Sequence, residues 1–412
     1  MKKNVLRKIG VISLAVAVSM SMGISAFAAE DAAGVTETND TSFNINKEIL
    51  VYNEDSINVY GPGITFDYTV APSDGGSKVT DTDGDSITVK KGTEGGVTLS
   101  DATAEFAKNA DVAATSKGTV ISDTITADVH LDKFSAAGVY RYVVNEAKPE
   151  GFDPAGLTRP EGYDVNRYLD VYIGNAEGGG LQVTGYVLFA NSIETGKTTG
   201  FVDAIGSGEG NTGHADKYYT YNYSISKVID GTLADKTHAF PFSFTTAGAV
   251  EGQKFTVSTT GNLQSGAEGG VAEIGTEVRD MLADGQTLTI KGLPANTTFN
   301  VTETNDSEDI YHVSIADSNK GDIIATGDAV AVDAKTGTQA MAKENQALTN
   351  YASGLATAPE ATFSATTFTN TLNDVSPTNV VTRYAPFLFI IAAAIILLVF
   401  MRRRKSQEQD DE

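Results

Sequence analysis

Residues 221–229 read YNYSISKVI, and their alternation decides what kind of chain this is. Successive side chains of an extended strand point to opposite faces, so Tyr221, Tyr223, Ile225 and Ile229 share one face while Asn222, Ser224 and Ser226 take the other. Lys227 falls on the apolar face, where an ammonium is costly unless it is paired or neutralised. The same period of two runs through Ile64, Phe66, Tyr68 and Val70, through Phe240, Phe242 and Phe244, and through Leu288 and Ile290. Clusters of Gly with Asp, Ser or Asn separate these runs, as turns between short antiparallel strands do. Strands do not alternate with long helical patterns, so the class is all-β, built as sandwiches. Two stretches, 102–110 and 276–283, read as short helices.

The ends of the chain carry different signals. Lys2, Lys3, Arg7 and Lys8 surround the start of an apolar stretch that closes on Ala26-Phe27-Ala28, the layout of a signal peptide over 1–28. Near the other end, 384–401 is uncharged and as a helix rises about 27 Å, enough to cross a hydrocarbon core. Arg402, Arg403, Arg404 and Lys405 open a tail, 402–412, that the positive-inside tendency holds in the cytoplasm. Between the ends the chain is acidic, with 53 Asp and Glu against 30 Lys and Arg and a net charge of −23. That balance argues against nucleic acid as a partner. Cysteine is absent, so an exported protein of this kind must find its stability in large cores, in metal or in another kind of crosslink.

A Gly-rich linker, 206–217, divides the chain into halves at 43–205 and 218–372. Each half contains Lys, then Glu, then Asx, all three on the apolar parity of their strands. In the first half these are Lys47 (with Phe43, Ile45, Ile49 and Val51), Glu146 (with Tyr140, Tyr142 and Val144) and Asp203 (with Phe201). In the second they are Lys227, Glu303 (with Phe299 and Val301) and Asn370 (with Phe368). Burying such a set twice is accounted for by an unreacted core salt bridge or, with the charges removed, by a covalent solution. Desolvation frees the lysine amine and keeps the glutamic acid protonated, and the amine attacks the Asn or Asp side-chain carbonyl while Glu shuttles protons. The product is a neutral amide across the sandwich, with water lost from the Asp site and ammonia from the Asn site.

A lysine in the first strand, the runs Tyr142 to Glu146 and Phe299 to Glu303, and the closing Phe368-Thr369-Asn370 resemble the intramolecular isopeptide-linkage domains of Gram-positive, streptococcal-type pilins. The resemblance covers nearly all of the mature chain. It implies two tandem immunoglobulin-like (CnaB-type) β-sandwiches, with Glu146 and Glu303 promoting crosslinks Lys47–Asp203 and Lys227–Asn370. The first half departs from the pattern, with Asp203 where this branch usually has Asn.

Val375-Ser376-Pro377-Thr378-Asn379, in 373–379 ahead of the apolar span, resembles a sortase cell-wall sorting signal, with Ser376 and Asn379 departing from the usual pattern. The resemblance implies cleavage after Thr378 and transfer to a peptidoglycan precursor or to a neighbouring pilin subunit, so that the span is a temporary membrane anchor. In shaft pilins of this kind a lysine just before the closing strand accepts the thioester, and Lys197 occupies such a place. The expected protein is a wall-anchored pilus subunit and a sortase substrate, not an enzyme. The alternative is a non-polymerised adhesin that binds a host or bacterial surface ligand.

Other patterns are set aside. Gly208, Gly210 and Gly213 match a dinucleotide fingerprint in form but precede a strand, so no cofactor is assigned. Asp81, Asp83 and Asp85 read as a turn rather than a calcium loop, the four histidines lack zinc spacing, and no metal site is assigned.

Overall fold

The computed structural model describes residues 35–36, 39–53, 55–76, 78–80, 86–190, 196–203, 214–295, 297–304, 311–317, 323–329, 338–343 and 364–372. The stretches expected to be a signal peptide (1–28), a sorting region (373–379), a membrane span (384–401) and a tail (402–412) lie outside them. Among the described residues the chain is β throughout, apart from one 3-10 turn at Leu131–Lys133.

Two sandwiches follow one another. In the first, one sheet holds Leu181–Phe189, Asn166–Asn175, Gly138–Glu146 and Ile64–Pro72. The facing sheet holds Val97–Asp101, Thr119–Val129 and the opening strand Ser42–Tyr52. Between them lie Ile45, Ile49, Phe66, Tyr142, Val144 and Phe201, all buried. Each side chain of this size contributes about 1.5–3 kcal/mol on burial. In the second, the long strand Asp216–Asp230 pairs with Thr287–Pro294 and Ser364–Thr371, facing a sheet of Val278–Leu282, Phe240–Ala247 and Thr298–Thr304. Tyr223, Ile225, Phe240, Phe244, Leu288 and Phe368 fill that core.

The two helices expected at 102–110 and 276–283 are strands. Thr103–Phe106 pairs with Ile64–Asp67, and Val278–Leu282 pairs with Phe240–Phe244. Tertiary pairing overrides weak local preference here, because Ala104 and Phe106, and Val278 and Leu282, alternate into the cores.

The strand Asp216–Asp230 belongs to both sandwiches. Its first residues pair in parallel with the opening strand of the first sandwich, and it then becomes the opening strand of the second. Parity assigns its faces. Tyr218 enters the first core, whereas Tyr219, Tyr221, Tyr223, Ile225 and Ile229 enter the second. Asp216 and Lys217, read as linker, therefore lie in a strand, and no flexible joint separates the two cores at that point. The even-numbered face tightens the junction through Thr220, whose hydroxyl donates to the Tyr52 carbonyl at 2.9 Å, and through Asn222, which bonds Asn53 side chain to side chain.

Candidate crosslinking sites

In the second sandwich the three residues expected from the sequence come together. Lys227 Nζ lies 3.0 Å from Glu303 Oε1, and Asn370 Nδ2 donates to the same oxygen at 2.5 Å. All three are buried. Lys227 stands on the opening strand and Asn370 on the closing strand Ser364–Thr371, its parallel neighbour, while Glu303 reaches in from the opposite sheet. An amide between Lys227 and Asn370 would thus join adjacent strands of one sheet. It would not span the sandwich as expected from the sequence; Glu303 is the group that crosses.

The surroundings are dry and aromatic, with Lys227 Nζ 4.3 Å from the centre of the Phe240 ring. Burial pulls the lysine down to about 8 against the opposing charge of Glu303, and burial pushes Glu303 up against the pull of Lys227 and Asn370. Both shifts favour the uncharged pair. Glu303 Oε2 and Asn370 Oδ1 are buried without partners. A proton on Glu303 would supply a donor, and Asn370 Oδ1 is the acceptor that lacks one.

The first sandwich gives a different result. Lys47 Nζ lies 2.9 Å from Glu146 Oε2, as expected, but its second carboxylate is Asp216, at 2.6 Å from Oδ2. Asp203 is not at this site. Its backbone N–H donates to Glu48 Oε2 at 2.9 Å, and its carboxylate lies near Tyr52 and His214.

The register explains the correction. In the second sandwich Phe368 pairs with Lys227 and Asn370 with Ile229. In the first, Phe201 pairs with Lys47, and an unbroken ladder would set Asp203 beside Ile49. The residue beside Ile49 is Asp216. The chain leaves the ladder after Phe201 and re-enters it at Asp216, so Asp216 takes the slot that Asn370 takes in the second sandwich. Gly200 permits the close approach before the exit, since a Cβ there would meet the Asn46 carbonyl oxygen at 2.0 Å.

Sequence reading also missed the rest of the first site. Tyr68 donates to Glu146 Oε2 at 2.8 Å, and Tyr163 donates to Oε1 at 2.9 Å while its oxygen lies 3.1 Å from Lys47 Nζ. Arg159 reaches Asp216 Oδ1 with Nε at 2.9 Å and Oδ2 with Nη2 at 3.1 Å, and Nη2 also donates to Glu146 Oε1. Burial works against the Arg159 charge, but Asp216 and Glu146 outweigh it and move the guanidinium's pKa upward. Burial, reinforced by Glu146 and Asp216, likewise pushes the Tyr163 phenol well above its ordinary range. Both arrivals come from the segment between Glu146 and Asn166. Leu157 pairs with Tyr218 and Thr158 with Lys217, and the next antiparallel step puts Arg159 opposite Asp216. Alternation in the sequence could have flagged Asp216 and Tyr218 as sharing a face, whereas nothing local marks Arg159 or Tyr163.

Lys197 lies in the two-residue strand Lys197–Thr198, half-buried and paired with Phe189. It precedes Gly200–Phe201, the first part of the closing strand.

Residues 221–371 match the family described as "Domain of unknown function (DUF7601)", a span that contains Lys227, Glu303 and Asn370. No curated protein sequence matches the chain. Among solved structures, it is similar to the major pilin from Streptococcus pyogenes, at 18% identity over 82% of this chain and 100% of that one, with a TM-score of 0.45. It is similar to the major pilin protein T3.2 from Streptococcus pyogenes serotype GAS13637, at 18% identity over 83% and 100% of the two chains and a TM-score of 0.43. The pilus-presented adhesin Spy0125 (Cpa) is 16% identical over 50% of this chain and 36% of that chain, with a TM-score of 0.23.

Proposed function

We propose that this protein is a tension-bearing surface subunit, a pilin attached to the cell wall or to neighbouring subunits by sortase, with self-formed amides Lys227–Asn370 and Lys47–Asp216. The observation that carries the reading is where the two lysine sites lie along the chain. In each sandwich the opening and closing strands are parallel neighbours, and the closing strand of the first is the opening strand of the second. Force entering at Ser42 would pass through Lys47 to Asp216, along one strand to Lys227, and through Asn370 to the C-terminus. Residues 48–215 and 228–369 would drop out of the extensible path, and unfolding by tension or proteolysis would lose its reversible opening step.

The closeness of Glu303 to both Lys227 and Asn370 supports the following chemistry at the second site. Lys227, as the free amine, attacks the Asn370 side-chain carbonyl carbon while Glu303 gives its proton to the carbonyl oxygen. The C–N bond to the amide nitrogen then breaks with its electron pair, Glu303 relays a proton from the attacking nitrogen to the departing group, which leaves as ammonia, and the proton lent to the carbonyl oxygen returns to Glu303 as the C=O re-forms. Holding the groups in contact supplies most of the acceleration.

Intact mass and peptide mapping of the purified mature ectodomain test the bonds. The expected result is the loss of one ammonia and one water, with linked peptides containing Lys227 and Asn370, and Lys47 and Asp216. An unreacted mass removes the proposal. Polymerisation is tested separately: wall extracts should show a ladder of high-mass multimers that Lys197→Ala abolishes, whereas a single species would mark the adhesin alternative.

A further inference from the structure

Resting on the reading of Lys47 and Asp216 as a reacting pair, we infer that Arg159 is a catalytic residue of the first site, gripping the Asp216 carboxylate as the electrophile and remaining as the counter-ion of Glu146 once the Lys47 charge is gone. Nothing in the second site plays that part among the described residues, where Glu303 bonds Lys227 and Asn370.

Charge accounting gives the first reason. Before reaction the site holds two cations, Lys47 and Arg159, and two carboxylates, Glu146 and Asp216, in mutual contact. Amide formation consumes one of each. Without Arg159, Glu146 would finish as a buried anion whose cation had been converted to a neutral amide, and that penalty would oppose the bond. The second site avoids the problem differently, because its electrophile is already neutral and its acid leans toward the protonated form.

Geometry gives the second reason. A carboxylate is a poor electrophile, since attack must place further negative charge on its oxygens. Arg159 presents Nε to Oδ1 and Nη2 to Oδ2, so each oxygen has a fixed donor while charge develops. Lys47 lies on the Oδ2 side, at 2.6 Å. Of the three ammonium protons, one passes to Oδ2, making neutral acid and leaving an amine. The nitrogen lone pair forms the C–N bond, and the rising charge on Oδ1 meets Arg159 Nε. A second proton passes through Tyr163 or directly to Glu146, then to Oδ2, which departs with the C–O electron pair as water. The third stays on the amide nitrogen, and Glu146 ends as a carboxylate paired with Arg159. The other nearby arginine cannot substitute, because Arg167 is committed to the backbone carbonyls of Gly200, Asp164 and Asn166.

Cell-free synthesis of the mature chain, sampled over time by high-resolution intact mass and by mapping of the Lys47–Asp216 peptide, tests the assignment with wild type, Arg159→Leu and Arg159→Lys. Ammonia loss from the second sandwich, which does not involve Arg159, is the internal clock. The expected outcome is unchanged ammonia loss in both variants, with water loss slowed on the order of 100-fold in Arg159→Leu. Arg159→Lys falls between, because an ammonium keeps the charge but cannot fork across two oxygens. Water loss at the wild-type rate in either variant overturns the role. Limited proteolysis reports whether Arg159→Leu still folds the first sandwich, and if it does not, Arg159→Lys decides. Wild type that loses ammonia but no water would overturn the reactive pair itself, and the role of Arg159 with it, while leaving the second bond standing.

Discussion

The two sandwiches set a lysine, a glutamate and an Asx residue in matching places and solve the electrostatics of burying them in opposite ways. Around Glu303 the site is sparse: one lysine, one amide, a Phe240 ring and two buried oxygens without partners. Around Glu146 it is saturated, with Lys47, Arg159, Tyr68 and Tyr163 all converging on one carboxylate. In the sparse site burial pushes lysine and glutamate toward their uncharged forms, whereas in the saturated site each charged group has a partner of opposite sign. The identity of the third residue follows the same division. A neutral Asn suits the discharged pair, and an acidic Asp suits a site that already holds a second cation.

The largest expected effect separates the sites by removing each glutamate. Glu146→Ala strips the shared acceptor from four donors and leaves a buried lysine and a half-buried arginine facing one carboxylate, a loss of about 3–5 kcal/mol in the first sandwich. Glu303→Ala removes a group with two partners and leaves a lysine that can discharge, a loss of about 1–3 kcal/mol in the second. Denaturant unfolding of the two variants, followed alongside intact mass, measures the gap, and both variants should lose their own crosslink. Equal destabilisation would break the distinction between a saturated and a sparse site.

A smaller effect, sharper in position, comes from the aspartates. Asp216→Ala should abolish the loss of water and the Lys47 crosslinked peptide, while Asp203→Ala should leave both in place and change stability by about 0.5 kcal/mol or less. Peptide mapping of the two variants gives the answer directly. A Lys47 peptide that persists in Asp216→Ala and vanishes in Asp203→Ala would reverse the register argument.

That pair of aspartates also marks the limit of what the sequence reveals. Alternation is local, so the faces of Lys47, Glu146, Lys227, Glu303 and Asn370 could be read residue by residue, and all five enter their cores. The three residues of the second site were legible because Ser364–Thr371 runs unbroken past Lys227, but that the two strands are neighbours in one sheet, so that a Lys227–Asn370 link would not span the sandwich, was not. The first was not, because its closing strand is interrupted between Phe201 and Asp216, and a sequence carries no local sign that a later segment resumes an earlier ladder. Arg159 and Tyr163 were hidden for a related reason: they arrive from a connecting segment whose path is fixed by its pairing with Tyr218 and Lys217. The strand at Thr103–Phe106 was hidden because an alanine-containing stretch favours helix until a neighbour offers it a ladder.

The smallest effect is a pH dependence that should be visible in the second sandwich when its crosslink is prevented, as in Asn370→Ala. Lys227 is held at about 8 against an ordinary 10.5, so over that window the unfolded chain binds the proton that the folded chain has given up, and stability rises as pH rises from 8 to 10.5. Glu303 is displaced the other way. Above its ordinary 4.5 the folded chain retains a proton that the unfolded chain has lost, so stability falls as pH rises from 4.5 toward the displaced value. The profile should therefore dip between the two windows, with each unit of displacement worth about 1.4 kcal/mol before coupling between the pair reduces it. Denaturant midpoints of Asn370→Ala across pH 4 to 11 measure it, and removing Glu303 as well should erase the acid limb while leaving the alkaline one. A flat profile would mean that Lys227 and Glu303 keep their charges in the core, and the second site would then be an ion pair like the first rather than its discharged counterpart.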